Sequence, residues 1–273
     1  MDENDPWEVE WRLSSTSEHE SVRRQNPHSC FAIVLYFRDQ RSLDSDKPMS
    51  QALINLPTDQ LLTKFGSGGH KPGSGSAAAL LGFVACKLIQ TVVTLSAGRD
   101  KYQGVEAQLT LANQDILDGI EPVLLMAMQE DSDQFDRVIA MRNQRDAEMD
   151  KLKKRQFAEQ ALHELRAATE IPIRIAETCL HLADRATLVF DLGFKAARGD
   201  SGVAISSALA GATGAISIIY LNLTSFKGSD WAVHTRKKAD ELSQRAQQLQ
   251  ASLLERILRL QKEAVDREPT SGE

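Results

Sequence analysis

Aromatic residues supply only 5% of this 273-residue chain, which leaves little of the material that favours sheets. Cysteine is equally scarce. Cys30, Cys86 and Cys179 lie far apart with no short-spaced pair, so neither a disulfide framework nor a thiolate metal site is expected, and a reducing cytoplasm fits best. A basic excess is also missing: 32 Lys and Arg stand against 38 Asp and Glu, a formal net charge of −6. That balance argues against nucleic acid as a partner, and an anionic ligand would need a local basic site.

The opening residues 1–20 are acidic and lack the basic-then-apolar order of a signal peptide, while the apolar run at residues 30–37 is short and late. Residues 201–226 hold no charge and are long enough to cross a bilayer. They also carry Ser206, Ser207, Thr213, Ser217, Asn222 and Thr224 among glycines, a composition that reads as a tightly packed internal helix, so no membrane is expected.

What the chain does have is 42% apolar and 26% charged residues, rich in Ala, Leu, Gln and Glu, which predicts an all-α fold with a real core. Residues 1–48 read as an irregular extension, with one strand expected over residues 30–37. Met49 is a candidate initiator, because orderly helical sequence begins just after it. Helices are expected over residues 58–64, 76–96, 104–143, 151–190, 201–225 and 232–267, with breaks or kinks at Pro122 and Pro172 and a frayed tail over 268–273. The helices over 76–96 and 201–225 are apolar on almost every side and should lie buried; the last carries Leu242, Leu249, Leu253, Ile257 and Leu260 as one stripe of an amphipathic outer helix. The sum is an up-and-down helical bundle with a main domain over residues 49–267.

The most distinctive local sequence is His70-Lys71-Pro72-Gly73-Ser74-Gly75-Ser76-Ala77, a glycine-rich loop feeding an apolar helix. Glycines with positive φ would turn backbone N–H groups toward one point beside the helix dipole, suiting an anion; alternatively Ser74 or Ser76 simply caps the helix. The run lacks the Lys and Ser/Thr of a Walker loop and follows no strand, which excludes a dinucleotide fold.

At this loop the chain resembles the cyclodeaminase/cyclohydrolase family, which includes the cyclodeaminase part of formiminotransferase-cyclodeaminase and stand-alone methenyltetrahydrofolate cyclohydrolases. Pro72-Gly73-Ser74-Gly75-Ser76-Ala77 is similar to its Pro-Gly-Gly-Gly-Ser-Ala, and Gly98-Arg99-Asp100-Lys101-Tyr102 to the Gly, basic residues and Lys-Tyr that end its first core helix. Asp131 to Phe135 resembles its Asp-x-x-x-Phe element, residues 168–177 its proline-interrupted helix, and Gly199-Asp200-Ser201-Gly202-Val203-Ala204 its Ser-Asp-x-Gly-Val-Ala. Ser74, Thr94, Phe194 and Gly199 depart from the pattern.

The resemblance implies a one-carbon tetrahydrofolate enzyme that needs no metal and no cofactor beyond its folate substrate. Hydrolysis of 5,10-methenyltetrahydrofolate to 10-formyltetrahydrofolate is favoured over cyclodeamination of formiminotetrahydrofolate, since no formiminotransferase domain is attached. A non-catalytic ligand-binding or self-associating bundle is the alternative, motivated by the departures. Proton transfer would fall to Asp131 and Asp200, each with a bland counterpart: Asp200 as a helix cap, Asp131 as part of a solvated face beside Glu130 and Asp133. Lys101 is the third catalytic candidate. Gly73, Ser74, Gly75, Ser76, Lys71, Arg99 and Tyr102 are the expected substrate contacts, with Lys64, Lys71 and Arg99 a basic mouth for a polyglutamate tail and Tyr102 beside a substrate ring. His70 is a possible proton carrier. The small residues of the helix at 204–215 suggest a homodimer.

Overall fold

The computed structural model describes residues 52–265, and every regular element among them is helical. The expectations for residues 1–48 and 268–273 lie outside the described residues. In chain order the helices are α1 (Thr58–Phe65), α2 (Ser74–Ser96), α3 (Glu106–Asp115), α4 (Glu121–Ala147), α5 (Lys151–Leu192), α6 (Arg198–Leu223) and α7 (Asp230–Val265).

The two prolines expected to interrupt helices behave differently. Pro122 falls in the first turn of α4, and a π turn at Ile116–Ile120 joins α3 to α4 directly ahead of it, so the helix is widened there rather than broken. Pro172 instead lies inside α5, which runs through it unbroken for 42 residues. The kink cost of about 3 kcal/mol is set against tertiary burial, for Pro172 is buried in a run with Ile171, Ile173, Ile175 and Ala176.

The helices α2 and α6 cross at glycine. A Cβ on Gly211 would stand 2.7 Å from the Ala78 carbonyl oxygen and 3.0 Å from Cys179 Sγ, and one on Gly82 would stand 2.8 Å from the same sulfur. Neither position admits a side chain, so the two backbones and α5 converge there. The pair is antiparallel: Gly211 meets Ala78 near the start of α2, whereas the Phe194 amide, just before α6, donates to Ser96 Oγ at the end of α2 over 2.8 Å. The bundle therefore has a first end, where α2 begins and α6 finishes, and a second end, where α2 finishes and α6 begins.

The outer helix α7 runs parallel to α5 and is tied to it by ion pairs spaced along both. Lys238 meets Glu177 at 2.7 Å, Arg245 meets Asp184 at 2.5 Å, and Arg256 meets Asp191. Beneath them Ala239, Ala246, Leu249 and Leu253 are buried, while Leu242 and Leu260 pack from the margin and Ile257 stays 47% exposed.

The apolar helices α2 and α6 supply much of the core, as expected, yet each keeps one side open, with 44% and 50% of its most apolar stretch buried. Both turn one side to α5 at Cys179 and leave Leu81, Val84 and Leu95 of α2 and Val203 and Leu221 of α6 exposed. Five helices cannot enclose two central ones when α4 and α7 flank them and only α5 lies behind.

Candidate functional site

At the first end, the glycine loop leads into α2 with Gly73 as its cap residue, so neither Ser74 nor Ser76 caps it. A glycine has no cap side chain, and the function passes to Asp131 from α4. Its Oδ2 accepts from the Ser76 N–H at 2.8 Å and lies 3.1 Å from Ser76 Oγ. A carboxylate at a helix start is favoured by the free amides and by the dipole. The expected anion site is thus occupied in part by the chain's own acid, which leaves the Ser74 and Gly75 amides for a ligand.

The glycines serve a purpose other than positive φ. Gly73 has φ −98° and Gly75 is already helical. A Cβ on Gly75 would fall 2.0 Å from Asp131 Oδ1, so the residue must be glycine for the carboxylate to reach the helix start.

Asp131 is accordingly no member of a solvated face. Burial pushes its carboxyl above the usual carboxylate range, and the Ser76 N–H and hydroxyl oppose that shift without cancelling it. Ser76 Oγ also stands 2.8 Å from the Met128 carbonyl oxygen. Its single hydrogen can serve only one acceptor at a time. When it goes to Met128, the hydroxyl lone pair faces Asp131 and can take a bond from the protonated acid.

Around this centre lies a charged lattice. Lys71 Nζ donates to Asp133 Oδ1 at 2.9 Å and Asp136 Oδ2 at 2.7 Å, and His70 Nε2 stands 2.7 Å from Asp136 Oδ1. Burial pushes the Asp136 carboxyl up, but the Lys71 and His70 hydrogen bonds outweigh it and hold it below its ordinary range. Lys71 is raised, chiefly by its bond to Asp136. Asp133 and Asp136 were not singled out as functional residues from sequence, although their spacing of three places them on one helical face.

The remaining candidates sit at the second end. Arg99 lies over the Phe194 ring at 4.3 Å, and Tyr102 meets the same ring edge-on with centroids 6.3 Å apart. The Tyr102 hydroxyl accepts from the Lys195 N–H at 3.1 Å, and Tyr102 is buried, so it packs against protein rather than standing open to a substrate ring. Lys101 is exposed in the turn after α2. Asp200 is half-buried in the first turn of α6, but Ala197 holds the cap position, so Asp200 is not the N-cap.

The structure therefore gathers Lys71, Gly73, Ser74, Gly75, Ser76 and Asp131 at one end and Arg99, Lys101, Tyr102 and Asp200 at the other. From Ser76 to Ser96 the helix rises about 30 Å at 1.5 Å per residue. Within one chain, Asp131 and Asp200 cannot act on one atom. Among the described residues, no grouping of three His, Cys, Asp or Glu side chains could hold a metal ion.

Comparison with known proteins places this geometry. Residues 57–241 match the family model described as formiminotransferase-cyclodeaminase. A methenyltetrahydrofolate cyclohydrolase of Methylorubrum extorquens is 27% identical over 188 residues, covering 69% of this chain and 88% of that protein. The crystal structure of a formiminotetrahydrofolate cyclodeaminase from Thermotoga maritima superposes with a TM-score of 0.67 at 14% identity, over 76% of this chain and 98% of that one, which shows a shared fold. The matched span runs from α1 into α7 and takes in the glycine loop, Asp131 and the α2–α6 crossing, so the chain belongs to the formiminotransferase-cyclodeaminase family.

Proposed function

We propose that the protein is a tetrahydrofolate one-carbon enzyme that hydrolyses 5,10-methenyltetrahydrofolate to 10-formyltetrahydrofolate. The observation that carries this reading is Asp131, an acid held at a helix start beside Ser76 with its proton affinity raised by burial. Membership of the family and the similarity to a cyclohydrolase support the substrate.

The methenyl carbon bears a delocalised positive charge between N5 and N10. Ionised Asp131 offsets that charge and accepts a proton as water attacks, forming the C–O bond and a neutral tetrahedral adduct. The protonated carboxyl then gives its proton to N5 as the C–N5 bond breaks, the adduct hydroxyl loses its proton to solvent, and the formyl group stays on N10. A carboxyl whose affinity lies nearer neutrality serves both steps better than an ordinary one. Ser76 holds Asp131 in place, the Ser74 and Gly75 amides at the helix start face the reacting head, and Lys71 exchanges Asp133 or Asp136 for a substrate carboxylate. In this reading the enzyme works in the cytoplasm, as a homodimer, with no cofactor, and Arg99 and Lys101 hold the tail of a polyglutamylated folate.

The same acid could instead take the N10 proton in cyclodeamination, and the shared fold with a cyclodeaminase supports that second reading. The two are separated by assaying purified protein with both folates. Loss of the methenyl chromophore faster than in buffer, abolished in a folded Asp131→Asn variant, is the expected result. Turnover of formiminotetrahydrofolate alone, with release of ammonia, would replace the first reading by the second, and turnover of neither would leave a non-catalytic bundle.

A further inference from the structure

Hydrolysis of the methenyl bridge moves two protons, and Asp131 accounts for one of them. Water loses the first to Asp131, which passes it to N5; the second leaves the adduct hydroxyl as the C–N5 bond breaks. A group beside Asp131 is placed to take it. A Cβ on Gly73 would lie 3.6 Å from Asp131 Oδ2 and 3.3 Å from the His70 carbonyl oxygen, so the carboxyl and the His70 backbone flank one methyl-sized gap. The His70 ring leans on Phe135 with centroids 6.4 Å apart, and Phe135 lies four residues after Asp131 on the same face of α4. Acid and imidazole therefore border the same stretch of α4, about one 5.4 Å turn in length.

The hydrogen bonds around His70 fix where its free lone pair lies. Lys71 Nζ donates to Asp136 Oδ2 at 2.7 Å, and that bond helps keep the Asp136 carboxyl ionised. An ionised carboxyl only accepts. The Nε2 of His70, 2.7 Å from Asp136 Oδ1, must then carry a hydrogen, which in the neutral ring leaves the lone pair on Nδ1. Among the described residues nothing bonds Nδ1, and the side chain is 45% exposed, open to water. As an anchor for the glycine loop His70 is redundant, because Lys71 already ties that loop to Asp133 and Asp136. Lys71 can give up Asp133 to a substrate carboxylate and still hold Asp136. A carboxylate behind an imidazole is the arrangement that sets the tautomer of a general base in hydrolytic triads.

We propose that His70 is the second proton carrier of the hydrolysis, its Nδ1 taking the proton of the adduct hydroxyl while Asp131 returns the first proton to N5. The O–H electron pair becomes the second bond of the formyl C=O, the C–N5 pair stays on N5, and N5 takes the proton from Asp131. The imidazolium then faces Asp136 and releases its Nδ1 proton to solvent, which restores both groups for the next turnover. Asp136 and Lys71 act through His70 and are positioning residues. The proposal rests on the methenyl reading above and adds the base that Asp131 alone does not supply.

The test uses the full chain and 5,10-methenyltetrahydrofolate. His70→Gln keeps an N–H for Asp136, and so keeps the loop anchored, but has no nitrogen lone pair. It should lose about a hundredfold in kcat, within the usual range for general acid–base catalysis, with KM and the urea midpoint little changed. His70→Gly should lose as much and regain turnover in proportion to added imidazole, which should leave wild type unaffected. In Asp136→Asn, Lys71 holds the amide oxygen and the amide N–H turns to Nε2, which moves the ring hydrogen to Nδ1; kcat should fall without rescue by imidazole. Full turnover in His70→Gln, a rise in KM with kcat intact, or a His70→Gly variant that imidazole does not revive would each overturn the proposal while the active wild type upholds the methenyl reading. A wild type that leaves the methenyl chromophore untouched would overturn both.

Discussion

Asp131 and Ser76 lie 55 residues apart in sequence and meet over 2.8 Å, the carboxylate of one capping the first turn of the helix that holds the other. The contact joins α4 to α2 at the point where the substrate is proposed to react, so its disturbance should register in both stability and turnover.

Gly75→Ala tests the space this contact requires. The added carbon would lie 2.0 Å from Asp131 Oδ1 and must drive the carboxylate away from the helix start. Urea unfolding should show a loss of about 1–3 kcal/mol, the usual cost of an overpacked site, together with loss of turnover. A variant as stable as wild type would show that Asp131 moves freely.

The crossing of α2 and α6 offers a graded comparison on one helix. Gly211→Ala would set a Cβ 2.7 Å from the Ala78 carbonyl oxygen, a backbone atom that cannot step aside, whereas Gly214→Ala would meet the Ala78 side chain at an ordinary 3.8 Å. The first should cost about 1–3 kcal/mol, and the second should fall near neutral or gain slightly from helix propensity. Equal effects in thermal or urea melts would contradict the close approach.

The raised affinity of Asp131 for its proton fixes the sign of its pH dependence. The folded state holds this proton more tightly than the unfolded state, so protonated Asp131 favours folding at low pH. That contribution is lost as pH rises from the ordinary carboxylate range through the raised folded value. The stability difference between wild type and Asp131→Asn should therefore shift against wild type as pH climbs through that window, measured by urea titration. Asp136, held low by Lys71 and His70, should behave oppositely and lose its contribution on acidification.

Cys86 and Cys179 are buried, and burial pushes both thiols up to about 12. Neither should react with an alkylating reagent in the native protein at neutral pH, and both should react on unfolding. Rapid native labelling of either, read by mass spectrometry, would place it at a surface.

Much of the helical order was legible because period and turn chemistry are local. A short helix begins at Thr58, although Pro57 and not Thr58 holds its cap position, and the stripe of Leu242, Leu249 and Leu253 faces inward along α7. Pro122 and Pro172 look alike in sequence yet end differently, since only the burial around Pro172 carries α5 through it. The glycine loop was found by its composition but its reason was not, because Gly75 answers to a side chain from another helix. The separation of Arg99 and Lys101 from Asp131 follows from the length of α2, but that of Asp200 depends on which way α6 runs beside α2. No local pattern carries that direction.

The ladder between α5 and α7 has a consequence for how the last helix finds its place. Glu177, Asp184 and Asp191 recur every seven residues, as do Lys238 and Arg245, so a slip of α7 by two turns would pair Lys238 with Asp184 and Arg245 with Asp191, cation to anion as before. Charge separates the two alignments only at the ends of the ladder, where Glu177 would lose Lys238 and Arg256 would lose Asp191. The discrimination falls to bulk underneath: the slip would carry Ala246 into the niche that Leu253 fills and leave a void there. Ala246 acts as the notch of a key, and enlarging it would favour the wrong alignment without touching one ion pair.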